Sequence, residues 1–216
     1  MSNQSIPSLS ELTQYNVNRA NAVEAIKWSL YDSLTYAAAG QSQLQFFQVP
    51  KGQSGKTYAN TNMTAAGALP SPQSFLIQTI ELSFFPGENP ALGAGTAATA
   101  NSFVNDNWKF WSQPAYLELY IGSKAYLDEA PLMKFPPRNG LGGFSSQSDS
   151  TTAGATQLNQ IGYASAGGPI YEVNPPILLV PTQNFSVTLY WPTLVTITNA
   201  ATVYCNLGGV LYRNSQ

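Results

Sequence analysis

Apolar residues recur along this chain with two different periods, and the switch falls near Gly40. Between Ser8 and Gly40, Val23, Ile26, Leu30 and Leu34 follow one another at three or four residues, the spacing that lines one face of a helix. Ala20, Ala22, Ala25 and Ala37 to Ala39 favour the same state, and Gly40 is a natural stop. Ser8 or Ser10 can cap the start, with Glu11 three residues after Ser8 completing a capping-box pattern. Arg19, Glu24, Lys27 and Asp32 fall among the apolar positions as a polar face. The spacing therefore predicts a helical arm over residues 1–40. Val23, Ile26, Leu30 and Leu34 are its apolar face, packed under the rest of the fold or against a neighbouring subunit. The polar face lacks the Lys/Arg enrichment of helices that lie on membranes.

From Gln41 the period becomes two. Leu44 and Phe46, then Phe47 and Val49, predict a short strand that stops at Pro50. Phe75 to Phe85 is a second, with Leu76, Ile80, Leu82 and Phe84 on one side, and Pro86-Gly87 closes it. Tyr116 to Ile121 alternates cleanly and turns at Gly122-Ser123 into Ala125 to Met133. Ile170 to Val173, Ile177 to Val180, Phe185 to Trp191, Leu194 to Thr198 and Thr202 to Tyr212 follow, with Gly208-Gly209 marking a bulge. Two long Gly/Ser/Thr/Asn-rich excursions, 88–107 and 139–168, separate these runs.

About eight strands with long connections and no helix between them exclude a βαβ parallel sheet. The fold class expected is all-β: a single jelly roll of two antiparallel sheets in Greek-key order, residues 41–216, preceded by the helical arm of residues 1–40. An immunoglobulin-like sandwich is the alternative, but its turns are shorter and its paired cysteines are missing. Cys205 is alone, so no intramolecular disulfide forms, and its apolar strand context makes it a small buried hydrophobe. Met1 to Ser10 has no basic and apolar leader pattern, and no apolar run approaches the ~20 residues of a membrane-spanning helix. Synthesis in a host cytoplasm is the expectation.

Charged residues are 9% of the chain, against about 25% in an ordinary soluble domain, and the net charge is −2. Net charge keeps monomers apart, so this surface suits a protein packed against copies of itself. Aromatic residues, at 12%, serve cores and interfaces alike.

The chain contains no histidine, which removes the commonest general base and metal ligand and rules out Ser–His–Asp and Cys–His nucleophiles. No metal or cofactor site is expected, and no catalytic residue is assigned. Two-carboxylate glycoside hydrolysis needs only a pair of acids. However, Glu118 alternates out of phase with an apolar face, and the adjacent Asp128 and Glu129 point opposite ways in an extended segment. Gly52-Gln53-Ser54-Gly55-Lys56-Thr57 imitates a phosphate loop, but the first glycine is two positions late and no apolar helix follows. A surface loop is the reading preferred. The nine basic residues are scattered from Arg19 to Arg213 with no two adjacent, so no direct nucleic-acid binding is expected. Asn3, Asn62 and Asn184 begin N-x-[ST] sequons that carry little weight without a leader.

Three runs carry a resemblance. They are Phe46 to Gly87 (FFQVPKGQSGKTYANTNMTAAGALPSPQSFLIQTIELSFFPG), Tyr116 to Pro137 (YLELYIGSKAYLDEAPLMKFPP) and the ending FSVTLYWPT…ATVYCNLGGVLYR. Together they resemble the jelly-roll major capsid proteins of tailless icosahedral bacteriophages, in strand layout and not in a diagnostic motif. The resemblance implies a structural virion protein, not an enzyme: a self-assembling coat subunit with no small-molecule substrate. Its partners would be copies of itself, a second capsid or penton protein, and an internal viral membrane between shell and genome. The alternative is a jelly-roll carbohydrate- or receptor-binding module, spike-like, with Trp108, Trp111, Tyr116 and Tyr126 as a sugar platform. Core or loop packing is the competing reading of those four.

Overall fold

The computed structural model describes residues 23–87, 106–107, 109–135 and 170–214, and the strand backbone of 141–142, 146–152, 155–160 and 163–164. Twelve strands follow in chain order. They are β1 (Val23–Tyr36), β2 (Gln43–Phe46), β3 (Ser74–Phe85), β4 (Tyr116–Ile121), β5 (Lys124–Pro131), β6 (Leu141–Gly142), β7 (Ser146–Thr152), β8 (Ala155–Gln160), β9 (Tyr163–Ala164), β10 (Tyr171–Leu179), β11 (Phe185–Tyr190) and β12 (Ala201–Asn214). Two four-stranded antiparallel sheets contain eight of them, in the orders β1-β12-β3-β10 and β2-β11-β4-β5. The small pairs β6-β9 and β7-β8 stand apart.

The pairing is nested. Among the eight, the first strand pairs with the last, β2 with β11, β3 with β10, and β4 with β5 through the turn at Gly122. Two further ladders, β12 with β3 and β11 with β4, join these hairpins into sheets. Alternation decides which side chains turn inward: Leu117, Leu119 and Ile121 of β4, and Val203, Cys205 and Leu207 of β12, are all buried. Between Gly208 and Gly209 the register against β3 shifts, as the paired glycines predict. A Cβ on Gly209 would stand 1.9 Å from the Leu76 carbonyl oxygen, so only glycine lets the two backbones meet there.

The helix expected over residues 1–40 is corrected where it can be seen. Residues 23–36 are a 14-residue strand, paired with β12 along its whole length; the part falling on residues 1–22 lies outside the described residues. The reason is arithmetic. A spacing of four, as in Ile26, Leu30 and Leu34, fits a helical turn and also two strand repeats. The deciding positions are Trp28, Asp32 and Tyr36, which share the even-numbered face. Tyr36 and Asp32 are both fully buried there. Asp32 disguises the alternation, because a charged residue reads as a polar face. Since β1 is an integral strand of its sheet, residues 23–36 belong to the same two-sheet body as β2 to β5 and β10 to β12.

Other boundaries shift for local reasons. β2 ends at Phe46 because Phe47 takes a positive φ of 67° and leaves the ladder. Residues 170–173 and 177–180, expected as two strands, are one strand, β10, with a register break between Glu172 and Ile177. Residues 194–198 are not a strand: their buried Val195 and Ile197 sit in an irregular connection. Residues 106–107 and 109–112 are helical, and Phe110 plugs the end of the sandwich. Its ring stacks on Phe84 at 4.3 Å and meets Tyr36 edge-on at 5.7 Å. The Asp106 carboxylate accepts the Thr198 N–H at 2.9 Å and ties this plug to the connection before β12.

Residues 47–73 fold back over β1. The buried Asp32 carboxylate accepts the Phe47 N–H at 2.6 Å and an ion pair from Lys56, itself only 12% exposed. Beside it, Asn62 behaves like a short extra strand: its Oδ1 accepts the Tyr31 N–H at 3.0 Å and its Nδ2 donates to the Ser29 carbonyl at 2.7 Å. Breaking a buried ion pair from one side leaves the other charge uncompensated, which costs about 3–5 kcal/mol. Asp32→Ala is therefore expected to lower unfolding stability by about 3 kcal/mol or more. Asp32→Leu combined with Lys56→Met should recover a large part of it. Chemical denaturation of the three proteins checks this, and a loss under about 1 kcal/mol for Asp32→Ala would remove the anchor role.

Cys205 is fully buried directly opposite Asp32, and burial first, then the nearby carboxylate, push its thiol pKa well up. A protonated, enclosed thiol is a poor nucleophile. In the native protein it should stay unlabelled by a thiol-reactive disulfide reagent at neutral pH, and react fully in denaturant. Fast native labelling would contradict this placement.

Candidate functional site

Two recesses on the described surface can receive something, and both are built on β1. The first lies on the outer face of the β1-β12-β3 ladder. Alternation sends Ser29 and Tyr31 of β1, Thr202, Tyr204 and Asn206 of β12, and Glu81, Ser83 and Phe85 of β3 to that side, where they line a groove of about 450 Å³. The register sets its pattern. Tyr31, Asn206 and Glu81 form one row across the three strands; Ser33, Tyr204 and Ser83 form the next; Thr35, Thr202 and Phe85 form the third.

Three aromatic rings, Tyr31, Tyr204 and Phe85, thus run diagonally over the sheet. Phe85 and Tyr204 touch edge-on at 5.4 Å between centroids, and Phe85 is 43% exposed. The Tyr31 hydroxyl donates to the Tyr58 carbonyl at 2.5 Å, which fixes that ring against the 47–73 segment. At the groove floor the Asn206 carboxamide oxygen is buried without a hydrogen-bond partner among the described residues. Among the described residues, Glu81 is the one charged side chain lining the groove.

The second recess, about 310 Å³, opens between the start of β1 and the 47–73 segment. Its floor is apolar, with Leu30, Met63 and Leu69 buried. Trp28 and Tyr58, 48% and 67% exposed, stand at its mouth. Lys51 lies 4.1 Å over the Tyr58 ring, and Arg213 pairs with Glu24 at 2.9 Å.

The residues singled out from sequence land as follows. Of the expected interface set, Leu30 is buried in the core, Leu34 packs against it, and Ile26 lines the second recess. Val23 begins β1. The imitation phosphate loop is a pair of turns with Gly52 and Gly55 at positive φ, and its lysine is spent on Asp32. Asn62, a sequon residue, is likewise committed to the β1 edge. Glu118 stands half-buried on the outer side of β4, and Asp128 is exposed on β5. The three described residues of the four considered as a sugar platform have separate partners. Trp111 packs on the core beside Phe110, Tyr116 stacks on Tyr190 at 5.2 Å, Tyr126 sits over Lys124 on β5, and Trp108 lies outside the described residues. Sequence reasoning missed the groove because it placed β1 on a helical period. The other two strands were legible: Glu81, Ser83 and Phe85 are out of phase with the apolar positions of β3.

Among the described residues no group of three His, Cys, Asp or Glu side chains could hold a metal ion, and no helix is long and apolar enough to cross a membrane. The described lining of the groove offers hydroxyls, an amide, one carboxylate and aromatic rings. No family model, no curated protein and no solved structure matches this chain.

Proposed function

We propose that this chain is a self-assembling coat subunit of an icosahedral virus shell, built as a single jelly roll. The observation that carries the reading is the nested pairing order. Strands β1 to β4 fall alternately in the two sheets, as do β5, β10, β11 and β12 on the way back, and this order supports a jelly roll with its two Greek keys. Viral capsid domains are among the proteins that use this architecture. The nearly uncharged composition supports the second half of the proposal, because little electrostatic repulsion opposes close packing of copies. Exposed apolar side chains outside the sheets, Met133 at 80% and Leu194 at 57%, add surface that association would bury.

The placement of β1 changes which residues can tie neighbours together. A truncation to Gly40 would strip Leu30, Tyr36 and the Asp32 anchor from the fold, so the proposed tying arm is confined to residues 1–22. In this reading the purified protein, concentrated at near-neutral pH, forms closed shells or regular sheets visible by negative-stain electron microscopy. Deleting residues 1–22 leaves thermal unfolding within a few degrees of the full chain while reducing assembly. A full-length protein that sediments as a single monomer at high concentration would overturn the coat-subunit reading. A 1–22 deletion that assembles as well as the full chain would overturn the arm.

A further inference from the structure

Beyond assembly, we infer that the recess between the start of β1 and the 47–73 segment is a docking groove for residues 1–22 of its own chain. Alternation creates the opening. Ile26, Trp28 and Leu30 share the face of β1 that carries Asp32 and Tyr36 into the core. Leu30 is buried there, and so are Leu211 and Phe75, which continue the row of Ile26 across β12 and β3. Toward the start of the strand the cover thins. Trp28 is 48% exposed although its position faces the core, and its partner across the ladder is Gly209, which brings no side chain to meet it. The opening of about 310 Å³ is at the small end of the ~300–1,000 Å³ range of ligand-sized cavities, so it suits a few side chains of a peptide and not a folded surface.

The place where residues 1–22 join the fold identifies the occupant. They run directly into β1 at Val23, and Ile26 already lines the recess. At ~3.3 Å per residue, Trp28 lies only ~17 Å along β1 from Val23. A segment of that length can span up to ~75 Å, ample for a return to the recess. Tethered so close, it is present at an effective concentration on the order of millimolar, and modest apolar contacts then suffice to hold it. Other stretches outside the described residues join the sandwich farther off. The 88–105 stretch follows the end of β3, where Phe85 stands roughly 33 Å along the strand from Phe75. The 139–168 excursion leads into β10, at the opposite edge of the sheet from β1. Composition agrees with the assignment. Within 1–22, Ile6, Leu9, Leu12, Tyr15 and Val17 are apolar, and Glu11 is the single carboxylate. The recess complements both features, with Leu30, Met63 and Leu69 as an apolar floor and Lys51 and Arg213 as cations on its wall. Arg213 is paired with Glu24, whereas Lys51 lies over the Tyr58 ring and has no carboxylate partner among the described residues. Glu11 supplies that partner. Docked in this way, the segment covers the rings of Trp28 and Tyr58, and in the coat-subunit reading it can tie a neighbour only after leaving its own recess.

The test uses the full-length protein and two readouts. Ser10→Cys is combined with Thr64→Cys at the recess, and in a control with Tyr126→Cys on the other sheet; Cys205 is enclosed and takes no part. Mild oxidation at about 1 µM protein should close the first pair within single chains, about fivefold faster than the control pair. Disulfide-linked dimers in place of closed monomers on a non-reducing gel would overturn the assignment by giving the recess to a second copy. Equal rates for the two pairs would overturn it as well. Trypsin provides the second readout, because Arg19 lies within the docked segment. Cleavage after Arg19 should be about fivefold faster in Trp28→Ala and in Lys51→Glu than in the wild-type chain, with cleavage after Lys124 in the β4-β5 hairpin unchanged. Thermal unfolding is recorded for each variant, and should Trp28→Ala fail to fold, Tyr58→Ala, whose ring is 67% exposed, takes its place. Unchanged cleavage after Arg19 in every folded variant would overturn the docking. Neither readout involves shell formation, so a failure here is told apart from a failure of the coat-subunit reading.

Discussion

The ladder between the first and last strands of the β body is the constraint on which the rest of this structure depends. Val23–Tyr36 and Ala201–Asn214 pair residue for residue without a break, although they lie at opposite ends of the described chain. Bringing such distant segments together costs loop-closure entropy that only extensive pairing and burial offset. Once made, the ladder encloses everything between: the three shorter hairpins nest inside it, and β12 is placed centrally against β3. It also presents Leu30 and Tyr36 to the core, provides the outward edge that Asn62 covers, and contributes one of the three strands of the outer groove. Without β1, the 47–73 segment would lose the Asp32, Tyr31 and Ser29 partners of its Lys56, Thr61 and Asn62 side chains.

Asp32 shows how so few charges can specify so much. A carboxylate at a core-facing position is expensive unless paired, and here Lys56 and the Phe47 N–H supply its partners. Such a pair contributes little net stability compared with a well-packed apolar replacement. Its consequence is positional. Slipping β1 by one residue would turn Asp32 to the outer face and direct Tyr31 or Ser33 inward, leaving Lys56 without a partner. The ion pair thus penalises the wrong register of the strand on which the fold closes. In a chain where charged residues are 9% of the total, one placed inside the sandwich acts on β-strand register and not on solubility.

The division between what the sequence disclosed and what it hid follows from the same residue. Strands whose inner positions are uniformly apolar, such as Tyr116–Ile121 and Phe185–Tyr190, are legible to the residue or nearly so. The bulge at Gly208-Gly209 is legible because glycine pairs in a strand mark close backbone approach. β1 is not, since Asp32 interrupts its alternation and the remaining apolar spacing of four serves helix and strand equally. β10 is half-legible: its two apolar runs were clear, and Asn174-Pro175-Pro176 read as a gap between strands where it is a distortion within one. The groove was hidden by the same misreading of β1 and by a second cause. Its residues come from three strands far apart in sequence, and only the register between them places Tyr31, Asn206 and Glu81 in a row.

The edges of the two sheets limit how copies of such a chain could pair. An exposed strand edge invites pairing with another chain, and proteins commonly block it with charge. This chain has little charge to use, and its four edge strands are blocked by geometry instead. β1 is covered by Thr61 and Asn62 over its middle, with Lys27 exposed beyond them. β10 carries two prolines, which have no N–H to donate, at its register break. β2 is only four residues long, and β5 is irregular against β4 and ends at Pro131. Indefinite sheet growth is thereby suppressed even though electrostatic repulsion is weak. In the proposed coat-subunit reading, association uses side chains on the outer faces and loops, where geometry can define a closed assembly. A low-charge surface combined with guarded edges is the combination that permits dense packing of folded units without fibrous aggregation.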